Sequence, residues 1–143
     1  MIKIELNRLN EAFHFEAVNE NGNRVHIDAS PDIGGTNQGM RPMQMLLAAM
    51  GGCSAIDIVN ILKKQKQDLQ DIKVTVTGER EAGAVPSLFT EVHAHYKLIG
   101  KLDEDKAQKA VALSVEKYCS VAKTLEKTAR VTYSFEVISP VNV

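Results

Sequence analysis

The sequence predicts an α+β fold in which antiparallel sheets pack around one long central helix. Segments of alternating apolar and polar residues occupy both ends of the chain, as expected of strands with one buried face. An apolar run at residues 43–62 lies between them, and as a helix it would extend about 30 Å, the width of a small domain. Strands and helices are grouped rather than strictly alternating, which argues against a doubly wound parallel sheet.

Before the helix, the alternation predicts three strands, at residues 2–8, 12–18 and 24–29. Residues 19–23 contain Asn-Gly, which favours a hairpin turn because both residues tolerate positive φ. The stretch that follows the third strand is rich in glycine and polar residues and predicts a loop. Pro42 then suits the first position of a helix, where its missing N–H costs nothing.

The long helix is predicted over residues 42–66, and it carries Cys53. Its apolar residues do not keep to one face, so we expect protein to cover it on most sides. A bilayer span is the alternative, but Gly51, Gly52 and Asp57 interrupt the middle of the run. Because one chain of 143 residues offers little material to cover both sides of this helix, we expect a second subunit to cover the rest.

After the helix, the alternation predicts three further strands, at residues 72–78, 90–99 and 131–138. The first two are expected to form a hairpin. Asp103 predicts the N-cap of a second helix, and Ser120 begins a short third one. The second helix is expected to bury one face, formed by Ala107, Ala110, Val111, Ser114, Val115 and Tyr118.

Length and composition predict a single globular domain over residues 1–143. The net charge of −1 gives no electrostatic reason to expect nucleic acid or an anionic membrane surface as a partner. No secretory signal is evident at the N-terminus, so the expected location is the cytoplasm. Two cysteines do not form a disulfide scaffold, and cytosolic thiols normally stay reduced.

Few side chains indicate chemistry by themselves. Cys53, in an apolar helix, fits the pattern of a small buried hydrophobe. Cys119 lies where one predicted helix ends and another begins, a position that exposes a side chain and favours the thiolate. His93 and His95 share one face of a strand, but a third metal ligand is not evident near them, so we interpret both as solvent-facing. We expect no metal and no cofactor.

Two segments together resemble the OsmC/Ohr family, the osmotically inducible protein C and organic hydroperoxide resistance proteins. They are PMQMLLAAMGGCSAIDIVNILKK at residues 42–64 and EKYCSVAKTL at residues 116–125. The first places a cysteine after a pair of small residues in the long helix, and the second places one on a later helix. The resemblance covers nearly the whole chain and indicates a divergent branch of the family.

The resemblance implies an intertwined α+β homodimer with two sites at the interface, each lined by both chains. It also implies that Cys53 is the peroxidatic thiol and Cys119 the resolving thiol of a reaction that reduces organic hydroperoxides in oxidative-stress defence. The expected partners are a second copy of the chain, a small hydroperoxide and an external dithiol reductant. That reductant would reopen a Cys53–Cys119 disulfide by thiol exchange.

The activating residues of the family are matched only in part. In catalytic members, an arginine from the N-terminal strands activates the first cysteine, and a glutamate directly after the proline before the helix holds that arginine. Here Met43 stands in the place of the glutamate, and Gln44 is the nearest polar side chain. Arg8 is the closest positional match for the arginine. The other candidates are Arg24, Arg41 and Arg80.

Two other functions stay open at this point. A non-catalytic member of the family would bind a small apolar ligand, or sense oxidants, at the same interface pocket. The methionines of the region favour this reading, and they are Met40, Met43, Met45 and Met50. A structural or stress-associated dimer would instead keep both cysteines without using them.

Overall fold

A computed structural model describes residues 1–142 of the chain. The chain divides into two compact units, one formed by Met1–Leu46 and one formed by the residues from Leu47 onwards. The elements belong to an α+β fold with two three-stranded sheets, one in each unit.

The first unit contains an antiparallel sheet in the order β1-β2-β3. Its strands are β1 (Glu5–Arg8), β2 (Phe15–Val18) and β3 (Arg24–Ile27). The three predicted strands are therefore present, although each is shorter than predicted. In the turn that joins the second strand to the third, Gly22 has a φ of +83°, which a residue without a Cβ adopts readily.

A buried carboxylate organises the loop that follows β3. Asp28 accepts hydrogen bonds from the backbone N–H groups of Ala29, Thr36 and Gln38 and from the Thr36 hydroxyl, at 2.8 to 3.2 Å. Burial alone would raise the pKa of Asp28, but these hydrogen bonds to the charged form outweigh it and lower the pKa below its usual range. The loop before the long helix is thus held in one conformation.

The long helix α1 spans Pro42–Lys64, with Pro42 at the predicted first position. Within the chain it buries a single stripe whose members recur about every four residues, as one face of a helix does. They are Met50, Gly51, Ser54, Ile58 and Leu62. Other apolar residues of α1 stay exposed, and Ile56 is 71 % exposed. One chain therefore covers only part of the helix.

The length and apolarity of α1 would also allow it to cross a membrane. Within the described part of the chain it is the one helix that meets this test, and 28 % of its most apolar 18-residue window is buried. Composition alone does not separate such a span from the core helix of a globular fold.

The second unit contains a sheet in the order β4-β5-β6. Its strands are β4 (Asp68–Arg80), β5 (Phe89–Lys101) and β6 (Arg130–Ile138). The first two form the predicted antiparallel hairpin, but β6 pairs with β5 in parallel, so the prediction of purely antiparallel sheets is wrong. A helical connection lies between them and returns the chain to the same end of the sheet, which makes the two strands run in the same direction.

That connection consists of α2 (Glu104–Leu113), a π-helical turn (Ser114–Tyr118) and α3 (Ser120–Leu125). Asp103 caps α2 as predicted, and its carboxylate accepts the Lys106 N–H at 3.0 Å. The predicted buried face holds from Ala107 to Val115, but Tyr118 is 51 % exposed. The π-helical turn inserts an extra residue into the helical repeat, which rotates Tyr118, at its end, away from the predicted face.

The core of this unit lies between the sheet, one stripe of α1 and the helices of the connection. From β5 it takes Val92, Ala94, Tyr96 and Leu98, which alternate with outward-facing residues. From the helices it takes Met50, Ile58, Leu62, Ala110, Val111 and Ala122. Cys119 belongs to this core and is fully buried.

Candidate functional site

Cys53 lies on α1, one residue before the buried Ser54, and is half-buried. The turn that precedes it packs closely on the sheet, because a Cβ on Gly51 would come within 3.1 Å of Val76 Cγ2. The small residue at position 51 therefore allows α1 to approach β4, and this places Cys53 at the edge of the core.

Cys119 lies between the π-helical turn and α3, as the sequence predicted, but it is not exposed. Its N–H donates to the Ser114 carbonyl at 2.7 Å, which closes the π-helical turn. Its Sγ accepts the Ala122 N–H at 3.3 Å. The expectation of an exposed thiol biased toward thiolate is wrong, because the core of the second unit covers this end of the helix.

The fold brings together the segments that carry the two cysteines, because Ser114 bonds to the Ser54 carbonyl on one side and to the Cys119 N–H on the other. Burial is the main cause that raises the pKa of Cys119, to about 11, and the neighbouring Cys53 raises it further. The Ala122 N–H opposes this rise without cancelling it. Both cysteines are free thiols, so the site holds a dithiol.

A buried hydrogen-bond network surrounds the thiols. The Tyr96 hydroxyl donates to Ser54 Oγ at 2.6 Å, and the Ser54 hydroxyl donates to the Met50 carbonyl at 2.7 Å. The Ser114 hydroxyl donates to the Ser54 carbonyl at 2.8 Å. These residues and the two thiols form what we call the inner cluster: Cys53, Ser54, Tyr96, Ser114 and Cys119.

The pKa of Tyr96 is raised to about 12, chiefly by burial, while the Ser54 hydrogen bond lowers it and charge on Cys119 or Cys53 raises it. Tyr96 therefore stays protonated at neutral pH and acts as a hydrogen-bond donor.

Sequence reasoning missed Ser54, Tyr96 and Ser114 as parts of this site. One signal was available: Tyr96 stands on the apolar face of β5, and a buried tyrosine hydroxyl needs a partner. The identity of that partner depends on how α1 packs on the sheet, which alternation along one strand does not reveal.

Gln44 and Arg41 lie at the start of α1, where Gln44 has a capping role. Its Oε1 accepts the Arg41 N–H at 3.0 Å, the reciprocal half of a capping box. The Arg41 guanidinium donates to the Gly39 carbonyl at 2.8 Å and to Asn37 Oδ1. The polar residue beside Met43 thus stabilises the helix N-terminus.

The other three candidate arginines each have a local partner. Arg8 donates to the carbonyls of Glu11 and Ala12 in the turn after β1. Arg24 pairs with Glu16 across the first sheet. At the end of β4, Arg80 donates from Nε to the Ser87 carbonyl at 3.0 Å. An activating role for any of these side chains stays a prediction.

His93 and His95 lie on the outer face of β5, as predicted, and hydrogen-bond to β6. Ser134 Oγ lies 2.9 Å from His93 Nε2 and 2.7 Å from His95 Nδ1. At one end of the row, the Thr132 hydroxyl lies within hydrogen-bonding distance of His93 Nδ1. At the other end, the Glu136 carboxylate lies within hydrogen-bonding distance of His95 Nε2. We call it the outer cluster: Thr132, His93, Ser134, His95 and Glu136.

Within residues 1–142, no group of three His, Cys, Asp or Glu side chains is arranged to hold a metal ion. The inner cluster offers different chemistry. Two adjacent thiols can pass between the dithiol and disulfide states, and a thiolate can accept an oxygen atom from an oxidant.

A comparison with protein families supports a common ancestry. The family model described as "OsmC-like protein" matches residues 35–134. "Protein YhfA" of Escherichia coli K12 is 42 % identical over 130 residues, which cover 90 % of this chain and 93 % of YhfA. Both cysteines and the whole inner cluster lie inside the matched segment.

Solved structures share the fold. A hypothetical protein from Aquifex aeolicus VF5 is 32 % identical, with a TM-score of 0.83 and 97 % of each chain covered. An organic hydroperoxide resistance protein OsmC from Legionella pneumophila has a TM-score of 0.71, with 95 % of this chain and 96 % of that one covered. At 18 % identity, this second likeness establishes the fold alone.

Proposed function

The chain belongs to the OsmC-like protein family, and we propose that it reduces organic hydroperoxides with Cys53 as the peroxidatic thiol and Cys119 as the resolving thiol. The observation that carries the proposal is that two free thiols lie on segments that Ser114 joins, through its hydroxyl to the Ser54 carbonyl and through its carbonyl to the Cys119 N–H. Some structural relatives are named organic hydroperoxide resistance proteins, which supports this substrate class. A cytoplasmic location and a role in oxidative-stress defence are part of the proposal.

The first step occurs at Cys53, the more exposed of the two thiols. Its thiolate attacks the terminal oxygen of the hydroperoxide, and the O–O bond breaks. The remaining oxygen leaves as an alkoxide, takes a proton and becomes an alcohol. Cys53 is then a sulfenic acid, and the peroxide has received two electrons from its sulfur.

The second step forms the disulfide. Sγ of Cys119, as thiolate, attacks Sγ of the Cys53 sulfenic acid, the S–O bond breaks, and the hydroxyl leaves as water after taking a proton. An external dithiol then returns two electrons by exchange and restores both thiols.

The apolar surroundings favour an organic hydroperoxide over hydrogen peroxide. Apolar residues of α1 stay exposed on the turns that follow Cys53, among them Ile56 and Val59. Such a surface gains from contact with an alkyl or aryl group, whereas hydrogen peroxide offers it no apolar surface.

We propose that the active form is a homodimer. Ile2 is 91 % exposed and Ile56 is 71 % exposed, and Ile4 and Leu6 are also uncovered in the single chain. Exposed apolar residues in this number are characteristic of an interaction surface. A second copy of the chain would cover them and the open part of α1.

The test is steady-state reduction of cumene hydroperoxide with dithiothreitol as the electron donor. We expect turnover by the wild-type protein and its loss in Cys53→Ser. Cys119→Ser is the matched control, because it removes the other thiol and should still form one equivalent of sulfenic acid that dimedone traps. Wild-type turnover retained by Cys53→Ser, or no reaction of the wild-type protein with hydroperoxide, contradicts the proposal.

A second candidate function is the binding of a small apolar ligand. It is favoured by a cavity of about 380 Å³ in the first unit. Its lining is largely apolar and is formed by Phe13, Phe15, Ile27, Ala29, Ile33 and Pro42, with Asp28, Ser30 and Arg41. The dye 1-anilinonaphthalene-8-sulfonate is a suitable probe. Ile33→Arg should weaken saturable dye binding, whereas Val85→Arg, an exposed site outside the cavity, should not.

A further inference from the structure

Ser114 is fully buried and uses two of its polar atoms to join the segments that carry the cysteines. Its hydroxyl donates to the Ser54 carbonyl at 2.8 Å, across 60 residues of sequence. Its own carbonyl accepts the Cys119 N–H at 2.7 Å. One side chain and one peptide group therefore connect the residue next to Cys53 with the backbone of Cys119.

The second of these bonds depends on the π-helical turn. In an α-helix the N–H bonds to the carbonyl four residues earlier, but here the Cys119 N–H reaches the carbonyl five residues earlier. Single π-helical turns inside helices occur often at functional sites. In this chain the turn ends at the residue before Cys119, so its geometry sets where the Cys119 backbone stands relative to α1.

Disulfide formation is sensitive to such placement. The two sulfurs must come to about 2 Å, and Cβ atoms of bonded cysteines lie about 4 Å apart. Two groups held in reacting geometry react as if one were present at a very high effective concentration. A small displacement of either group lowers that effective concentration and slows the reaction. A fixed link between the two cysteine-bearing segments supplies this geometry.

We propose that Ser114 is a positioning residue for the disulfide-forming step, because its hydroxyl links the backbone of Cys119 to the turn of α1 that carries Cys53. The proposal rests on the proposed function. Ser114 does not take part in the first step, since neither of its hydrogen bonds involves the Cys53 side chain.

The variant Ser114→Ala removes the hydroxyl and leaves the carbonyl bond to Cys119. The Ser54 carbonyl is also the helical acceptor for the N–H four residues later, so the variant leaves no orphaned acceptor and should fold. Ser114→Thr keeps a hydroxyl and is the second variant.

The experiment separates the two steps by rapid mixing with one equivalent of cumene hydroperoxide. Dimedone trapping measures Cys53 oxidation, and acid quench with peptide mass spectrometry measures the Cys53–Cys119 disulfide. In Ser114→Ala we expect Cys53 oxidation within about twofold of wild type and disulfide formation slower by about tenfold, the equivalent of one buried hydrogen bond. Ser114→Thr should retain the wild-type disulfide rate.

Two controls distinguish positioning from a general loss of stability. Thr36→Val removes the hydroxyl that donates to the buried Asp28 carboxylate in the first unit, and Ser120→Ala removes an exposed hydroxyl beside Cys119. Both should keep the wild-type rate of disulfide formation. The proposal is overturned if Ser114→Ala keeps that rate, if Ser114→Thr loses it, or if Thr36→Val slows the step as much as Ser114→Ala does.

A measurement without peroxide distinguishes a failure of the positioning role of Ser114 from a failure of the proposed function. The protein is equilibrated with mixtures of reduced and oxidised dithiothreitol, and the fraction of Cys53–Cys119 disulfide is measured. Ser114→Ala should lower the effective concentration of one thiol toward the other by about tenfold. If the wild-type protein does not react with hydroperoxide, the proposed function fails, but this equilibrium still tests the positioning role of Ser114. Equal effective concentrations in the wild-type protein and Ser114→Ala overturn that role.

Discussion

The two faces of β5 both carry hydrogen-bonded polar side chains, but in very different surroundings. On the inner face, Tyr96 is fully buried and its hydroxyl contacts Ser54 on α1. On the outer face, His93 and His95 are half-buried and bond to Ser134 of the neighbouring strand. Losing a hydrogen-bond partner should therefore cost a different free energy on the inner face of the strand than on its outer face.

The difference lies in what replaces a lost hydrogen bond. Water can take the place of a missing partner in the outer cluster, so the net value of each bond there is small. The hydroxyls of Ser54, Tyr96 and Ser114 in the inner cluster are fully buried, so water does not replace a lost partner there, and a hydroxyl left without one keeps the full cost of its desolvation. We therefore expect the inner cluster to govern stability and chemistry, and the outer cluster to be replaceable.

The largest expected effect is a loss of stability at alkaline pH. The pKa of Cys119 is about 9 when unfolded and about 11 when folded, and the pKa of Tyr96 rises from about 10 to about 12. At a pH between the unfolded and the folded pKa of either group, the unfolded chain has lost a proton that the folded chain keeps. The free energy of unfolding therefore falls as pH rises. We expect a fall of about 3 kcal/mol between pH 8 and 11, measured by urea unfolding.

A pair of variants assigns this effect to the inner cluster. Cys119→Ala should remove about 2 kcal/mol of the decline, because it removes the group whose proton is lost on unfolding. Ser134→Ala, in the outer cluster, should leave the decline unchanged. Parallel curves for wild type and Cys119→Ala would show that the buried thiol does not cause it.

A smaller effect is expected when the Tyr96 hydroxyl loses its acceptor. Ser54→Ala leaves a buried donor unpaired and should lower the free energy of unfolding by about 2 kcal/mol. Adding Tyr96→Phe removes the orphaned donor, so the double variant should be about 1 kcal/mol more stable than the sum of the single effects. Additive effects in this double-mutant cycle would argue against a direct Tyr96–Ser54 interaction.

The smallest effect is expected in the outer cluster. Ser134→Ala removes the hydroxyl that lies between His93 and His95, yet solvent can satisfy both rings. We expect a change below about 0.5 kcal/mol in the free energy of unfolding at pH 8. A loss as large as that of Ser54→Ala would abolish the distinction between the two faces.

The sequence predicted the elements better than their pairing. Alternation located β4 and β5, and Asp103 located the start of α2, because these signals are local. The parallel direction of β6 could not be predicted from its own alternation, since alternation is the same in parallel and antiparallel strands. Neither could the π-helical turn, which turned Tyr118 away from the core.

The candidate site was predicted in part. The motifs around Cys53 and Cys119 named both thiols, and the structure joins the segments that carry them through Ser114. Their surroundings depend on contacts between distant segments, and Ser114 reaches Ser54 across 60 residues. Such contacts follow from the packing of α1, the sheet and the connection, so residue types along the chain gave no direct sign of them.

The most direct test of the account is the state of the two cysteines after treatment with one equivalent of cumene hydroperoxide. We predict that non-reducing peptide mapping finds an intramolecular Cys53–Cys119 disulfide, with the loss of two hydrogen atoms per chain. Cys119→Ser should instead give a Cys53 sulfenic acid that reacts with dimedone. Two thiols unchanged by the hydroperoxide, or Cys53 driven to sulfinic acid while Cys119 stays reduced, would contradict the account.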